Sequence, residues 1–134
     1  MTQVELSRII IDEKNHDQAV VLREKGGSRQ IPIVIGFVEA TSIQMRISGV
    51  IAPRPLTHDL LAAAIQALEA SVEYILIDDL TEGTFFAKLC LKSHDGSLVL
   101  VDCRPSDGVA LAVRLGTPIF VEEKVFEQAS HTDM

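Results

Sequence analysis

A chain of 134 residues with a formal net charge of −7 lacks the basic excess of an obligate nucleic-acid binder, so any contact with a polyanion has to be local. Its composition, 47% apolar, 23% charged and 4% aromatic with no Trp, fits one globular domain with a core of Val, Ile, Leu and Ala. Cys90 and Cys103 sit in apolar runs with no CxxC spacing and no neighbouring His, which argues against structural zinc and against a disulfide scaffold. No apolar run reaches the length of a membrane span, and MTQVELSRII lacks the pattern of a secretory leader. The expectation is a soluble, cytoplasmic protein with reduced thiols and no membrane partner.

Residues 4–12 are a β-branched run that gives way to DEKNHDQ, a turn composition. Residues 19–24 and 30–35 read as two further strands joined through KGGSR, whose glycines suit a hairpin connection. Pro32 has no N–H to give to a ladder, which places its strand at an edge or a bulge. Phe37, Ala40, Ile43, Ile47 and Val50 recur at helical spacing and predict a helix to about Gly49. The stretch VIAPRPLTHD, with two prolines, predicts a loop. Thr57 is then the expected N-cap of a second helix whose face carries Leu60, Leu61, Ala64, Ile65 and Leu68.

Strands are expected again at 72–77, 84–91 and 97–101, separated by DDLTEG and SHDG. In the middle one, Phe85, Ala87, Leu89 and Leu91 alternate with Phe86, Lys88, Cys90 and Lys92, so one face is buried and the other partly wet. A third helix is expected from Asp107 to Leu115, stopped by Gly116. A strand over 118–121, a short helix over 122–128 and a frayed tail, SHTDM, complete the chain. The order β-β-β-α-α-β-β-β-α-β-α groups strands with strands and predicts an α+β fold. It is a single domain in which a mixed, largely antiparallel sheet packs with three to four helices.

Two polar stretches interrupt this apolar chain. In VDCRPSDGV, Leu98, Leu100 and Asp102 share a strand face, so Asp102 is expected to continue a buried row and to need a cation, with Arg104 nearest in sequence. Ser106 can cap the following helix, and Asp107 in its first turn complements the dipole. Two carboxylates and a guanidinium at a strand-to-helix junction also suit a divalent metal and a phosphate, although the pattern alone favours the structural account, since such junctions are rich in caps. In RPLTHD, Thr57 and Asp59 are ordinary helix-start residues. His58 faces the positive end of a helix dipole and could act as a base or a ligand, although the spacing alone favours a partly exposed histidine without a role. The dipeptides His16-Asp17 and His94-Asp95 fall in turns, and Asp78-Asp79 opens a turn where it would be solvated. No nucleotide-cradling glycine pattern occurs, and residue order alone gives no Ser-His-Asp set.

Together the two stretches resemble the bifunctional nuclease domain family. VDCRPSDGVALAVRLGTPIFVEEKVF is similar to its Asp-Ala-Arg-Pro-Ser-Asp-Ala core, short helix and following strand. RPLTHDLLAAAIQALEASVEYILIDDLTEGTFFAKLCL is similar to its Arg-Pro-x-Thr-His opening, helix and Gly-Thr-Phe strand, and IPIVIGFVEATSIQ to an earlier segment. The likeness spans about residues 4–127, with Cys103 and Gly108 standing where Ala is usual. Gly108 is expected to weaken the third helix slightly. By motif match the resemblance implies Arg54, His58, Asp59, Asp102, Arg104, Ser106, Asp107 and Glu39 as site residues, with Glu39 also a plain first-turn acid.

The implied activity is metal-assisted hydrolysis of DNA or RNA. Asp102 and Asp107, with Asp59 and Glu39 as further donors, would hold Mg²⁺ or Mn²⁺. His58 would be the base, and Arg54 and Arg104, with Ser106, would bind substrate. Two alternatives stay open: a non-catalytic, homo-oligomeric binding module, for which the apolar composition suggests a dimer, and a protein that binds a small nucleotide.

Overall fold

The computed structural model describes residues 1–12, 14 and 17–132, and the side chains of all of these except 130–132. The elements are β1 (Thr2–Asp12), β2 (Asp17–Glu24), β3 (Gln30–Ile35), α1 (Phe37–Ile47), α2 (Thr57–Ala67), β4 (Ser71–Thr81), β5 (Thr84–Lys92), β6 (Leu98–Cys103), α3 (Pro105–Leu115), β7 (Ile119–Val121) and α4 (Glu123–Thr132). They occur in the order the sequence predicts, and the fold is α+β with a mixed, mostly antiparallel sheet. His16 lies outside the described residues, as do the last two residues of the tail. Helix α4 runs on through Thr132 where fraying was expected.

The strands lie in the order β3-β2-β1-β7-β4-β5-β6. Two antiparallel three-stranded meanders, β1–β2–β3 and β4–β5–β6, each formed by chain-adjacent strands, are joined by β7 alone. That three-residue strand pairs antiparallel with β1 (Val4 opposite Ile119) and parallel with β4 (Ile75 opposite Ile119). Gly116 makes this geometry possible. It closes α3 in the left-handed conformation (φ 68°), which turns the chain sharply into β7 at little steric cost.

Pro32 takes its expected place on an edge strand, β3. The core is one cluster that draws Val20, Leu22, Ile31 and Ile33 from one meander and Ile75, Ile77, Ala87 and Leu89 from the other. Helix α3 sits at its centre: Gly108, Val109, Ala110, Leu111 and Ala112 are all buried, an almost all-round apolar helix as expected for one covered on several sides. Gly108 has a packing reason. A Cβ there would stand 2.7 Å from Ile75 Cγ2, so the residue lets α3 approach β4 closely.

Several local expectations are corrected. Thr57 is the first helical residue of α2 and Leu56 the N-cap; Asp59 does the capping, its Oδ2 accepting from the Leu56 N–H at 2.9 Å. Ser106 is not a cap either: Arg104 is the N-cap of α3, with Pro105 pre-set for the first turn. Asp78 and Asp79 lie inside β4, not in a turn. Strand β6 reaches Cys103, and being an edge strand it leaves Leu98, Leu100 and Asp102 exposed instead of buried.

Candidate functional site

Three helices bring their polar residues to one place. Helix α1 supplies Glu39 and Ser42, α2 supplies His58 and Asp59, and α3 with its N-cap supplies Arg104, Asp107 and Arg114. A continuous chain of hydrogen bonds joins them. Arg104 Nη2 donates to Glu39 Oε1 (2.8 Å) and Arg104 Nε to Asp107 Oδ2 (2.9 Å). Asp107 Oδ1 meets His58 Nε2 at 2.9 Å, and His58 Nδ1 meets Ser42 Oγ at 3.1 Å. Arg114 Nη2 donates to Ser42 Oγ (2.8 Å) while Arg114 Nε donates to Asp59 Oδ1 (2.7 Å).

Donor logic fixes the direction of the central bonds. A carboxylate only accepts, so His58 Nε2 carries a hydrogen toward Asp107. In the neutral imidazole Nδ1 is then the acceptor. Since Ser42 Oγ already receives a guanidinium N–H, its own hydrogen is the one given to Nδ1. Ser42, His58 and Asp107 therefore stand as hydroxyl, base and orienting carboxylate, from α1, α2 and α3 respectively.

The electrostatics follow the same bonds. Burial alone would raise the Asp107 carboxyl, but the bonds from His58 and Arg104 outweigh it and hold it below the ordinary range. The Arg114 guanidinium, helped by the Leu56 N–H, depresses Asp59. Asp107, then Glu39, keep Arg104 firmly charged. Cys103, beside this cluster, is pushed up to about 12 by burial and by the nearby Asp107 and Asp102 charges.

Three hollows border the chain. An apolar one of about 230 Å³, lined by Phe37, Val38, Thr41, Met45, Leu56 and Thr57, reaches Ser42 and His58. A second, of about 310 Å³, shares Met45 and Leu56 with the first and is edged by Arg46, Arg54, Asp59 and Arg114. The third, about 380 Å³, lies against Gly36, Thr84, Arg104 and Ser106.

Set against the sequence expectations, the structure draws His58, Asp59, Arg104, Asp107 and Glu39 into one network and places Arg54 and Ser106 at the hollows beside it. His58 is only 7% exposed, not partly exposed. Asp102 stands apart: its side chain is 77% exposed and contacts Lys88 Nζ at 3.3 Å, and no bond joins it to Arg104. Among the described residues no group of three or more His, Cys, Asp or Glu side chains converges as a metal cage, and both oxygens of Asp107 are taken by His58 and Arg104.

Sequence reasoning missed Ser42 and Arg114. Ser42 neighbours Ile43 on the buried side of α1 and reads as a core-face serine. Arg114, in the last turn of α3, reads as a dipole complement. Nothing local announces that residues 72 positions apart meet.

Fold and site together define an α+β domain that gathers its candidate chemistry under one helix layer. The model of the bifunctional nuclease domain matches residues 20–133, and the chain belongs to that family. It is 43% identical over 129 residues to an uncharacterized protein of Mycobacterium tuberculosis, across 96% of this chain and 76% of that one. Bifunctional nuclease 2 of Oryza sativa subsp. japonica is 28% identical over 119 residues, and bifunctional nuclease 1 of Oryza sativa subsp. indica 20% identical over 116. These cover 86% and 85% of this chain but only 36% and 35% of the rice proteins.

Proposed function

We propose that the chain binds single-stranded nucleic acid and hydrolyses its phosphodiester bonds at Ser42, His58 and Asp107. The observation that carries this reading is the pair of neighbouring hollows, which share Met45 and Leu56 as lining residues. One is apolar and walled by the exposed Phe37, suited to a base; the other is edged by Arg54 and Arg46, suited to the adjoining phosphate. The Ser42–His58 pair lies where the first meets the polar chain.

In the reaction, water attacks phosphorus and the bond to the leaving sugar oxygen breaks. The proton lost by water passes to Ser42 Oγ as the Ser42 hydrogen moves to His58 Nδ1, and the imidazolium is stabilised by Asp107. The leaving oxygen takes its proton from solvent, to which His58 gives back the one it accepted. Arg104 acts one step back, holding Asp107 in line from its position between Glu39 and Asp107. No step of this relay is assigned to a divalent ion, because both oxygens of Asp107 are held by His58 and Arg104.

The direct test is cleavage of fluorescent single-stranded DNA and RNA by purified protein, with Mg²⁺, with Mn²⁺ and with EDTA, against an Arg54→Gln variant. The reading expects cleavage that survives EDTA, and a KM raised about tenfold in the variant with kcat nearly kept, because Arg54 contributes uniform binding. Cleavage abolished by EDTA would return the metal to the mechanism and overturn the relay.

A second reading draws on the burial of His58. With both ring nitrogens bonded, the network also suits a structural knot in a non-catalytic binding module. Binding of oligonucleotide without turnover, unchanged by His58→Gln, would select it.

A further inference from the structure

Strand β6 is unlike the other edge of the sheet. Both faces of its run Leu98-Val99-Leu100-Val101 are exposed, Leu98 by 63% and Leu100 by 60%, and among the described residues the side away from β5 has no strand partner. Natural edges are blunted by proline, bulges or charge. The β3 edge carries Pro32. Over residues 98–101 the β6 edge has none of these, and its pairing with β5 runs without a register shift. An unbroken apolar edge strand of this kind is a template for another strand.

We infer that β6 is a seam between two copies of this chain, paired antiparallel about a two-fold axis with Leu100 facing Leu100 of the second copy. The symmetry restricts the register. A two-fold that runs two edge strands antiparallel stands perpendicular to the sheet, so it keeps each residue on its own face and pairs residues of like parity. Centring on Leu100 sets Val99 against Val101 and Leu98 against Asp102 of the other copy. Centring on Asp102 would oppose two carboxylates, which is unfavourable.

Charge complementarity singles out a second copy as the occupant. Lys92 is the β5 neighbour of Leu98, and Lys88 that of Asp102. In the joined sheet each end of the seam therefore reads Lys92, Leu98, then Asp102 and Lys88 of the other copy, all on one face. The exposed Asp102 of each strand comes within reach of a lysine from both copies. The seam also gives the outer N–H and C=O groups of β6 their ladder, and it buries Leu100 beside its twin. It places the helix layers, and the hollows at Ser42 and Arg54, on the same side of one continuous sheet, and it does not depend on what those hollows bind.

Sedimentation equilibrium over a concentration series tests this on the full chain. The wild type is expected to dimerise, and Leu100→Lys, which sets two ammonium groups face to face at the axis, to weaken association at least about tenfold while the far-ultraviolet circular dichroism is kept. Asp102→Lys should weaken it too, and adding Lys92→Asp should restore it by exchanging the charges across the seam. A wild type that stays monomeric, a Leu100→Lys protein that dimerises as well as wild type, or a double variant without rescue would each overturn the proposal.

Discussion

Gly108 shows how one missing methyl can carry a packing decision. By propensity an alanine there should strengthen α3 by about 1 kcal/mol. The structure sets Ile75 Cγ2 2.7 Å from where that methyl would go, and a β-branched core side chain has little room to yield. Gly108→Ala should therefore destabilise, by about 1–3 kcal/mol for overpacking less the helix gain, read as a lower midpoint in urea. The sequence expectation that glycine merely weakens the helix has the propensity right and misses the contact. Only the packing of α3 on β4 reveals it.

Arg114 makes the same point for a polar residue. Almost fully buried, it donates to Ser42, Asp59 and the Ala110 carbonyl and so ties three helices together. Arg114→Ala should cost about 1.5–3 kcal/mol for each charged bond that leaves a buried partner unmet, which chemical denaturation can measure.

Among the elements, the helix starts were the least legible part of the sequence. Both polar stretches were recognised as helix beginnings, but the capping roles were shifted: Thr57 and Ser106 each turn out to lie inside the helix. A Leu N-cap and an Arg N-cap carry no side-chain acceptor and so have no sequence signature. The burial of Asp102 was misread for a related reason. Strand periodicity tells which residues share a face, not whether the strand is central or at an edge, and Leu98 and Leu100 on an open edge look the same in sequence as on a covered one.

The helix layer carries a pH signature. The folded carboxyls of Asp59 and Asp107 lie below their unfolded values, so their contribution to stability is complete above the ordinary aspartate value of about 3.9 and is lost as pH falls through the lower folded values. Below about pH 4 the Tm should fall as these two carboxyls take up protons. Asp59→Asn should start from a lower Tm and show a shallower decline. A decline as steep as wild type would mean that Asp59 is not one of the groups responsible.

At the scale of the molecule, the strand and helix order could be read from periodicity and turn residues because each meander is local in the chain. The stitching by β7 could not. Three residues between a glycine and a short helix do not announce two partners, one parallel and one antiparallel. Five of the eight residues that the family motifs implied enter one network. They could not supply Ser42, which bonds His58 in the same network, nor the exposure of Asp102 on the edge strand.

The relay through Ser42, His58 and Asp107 is the central claim, and Asp107→Asn examines it most directly. The amide keeps the shape of the carboxylate but cannot stabilise a protonated His58. Single-turnover cleavage of a fluorescent single-stranded oligonucleotide, by wild type and variant preparations with matched circular dichroism, is predicted to fall at least about a hundredfold with substrate affinity nearly unchanged. Equal rates in the two proteins would contradict the account and place the chemistry elsewhere.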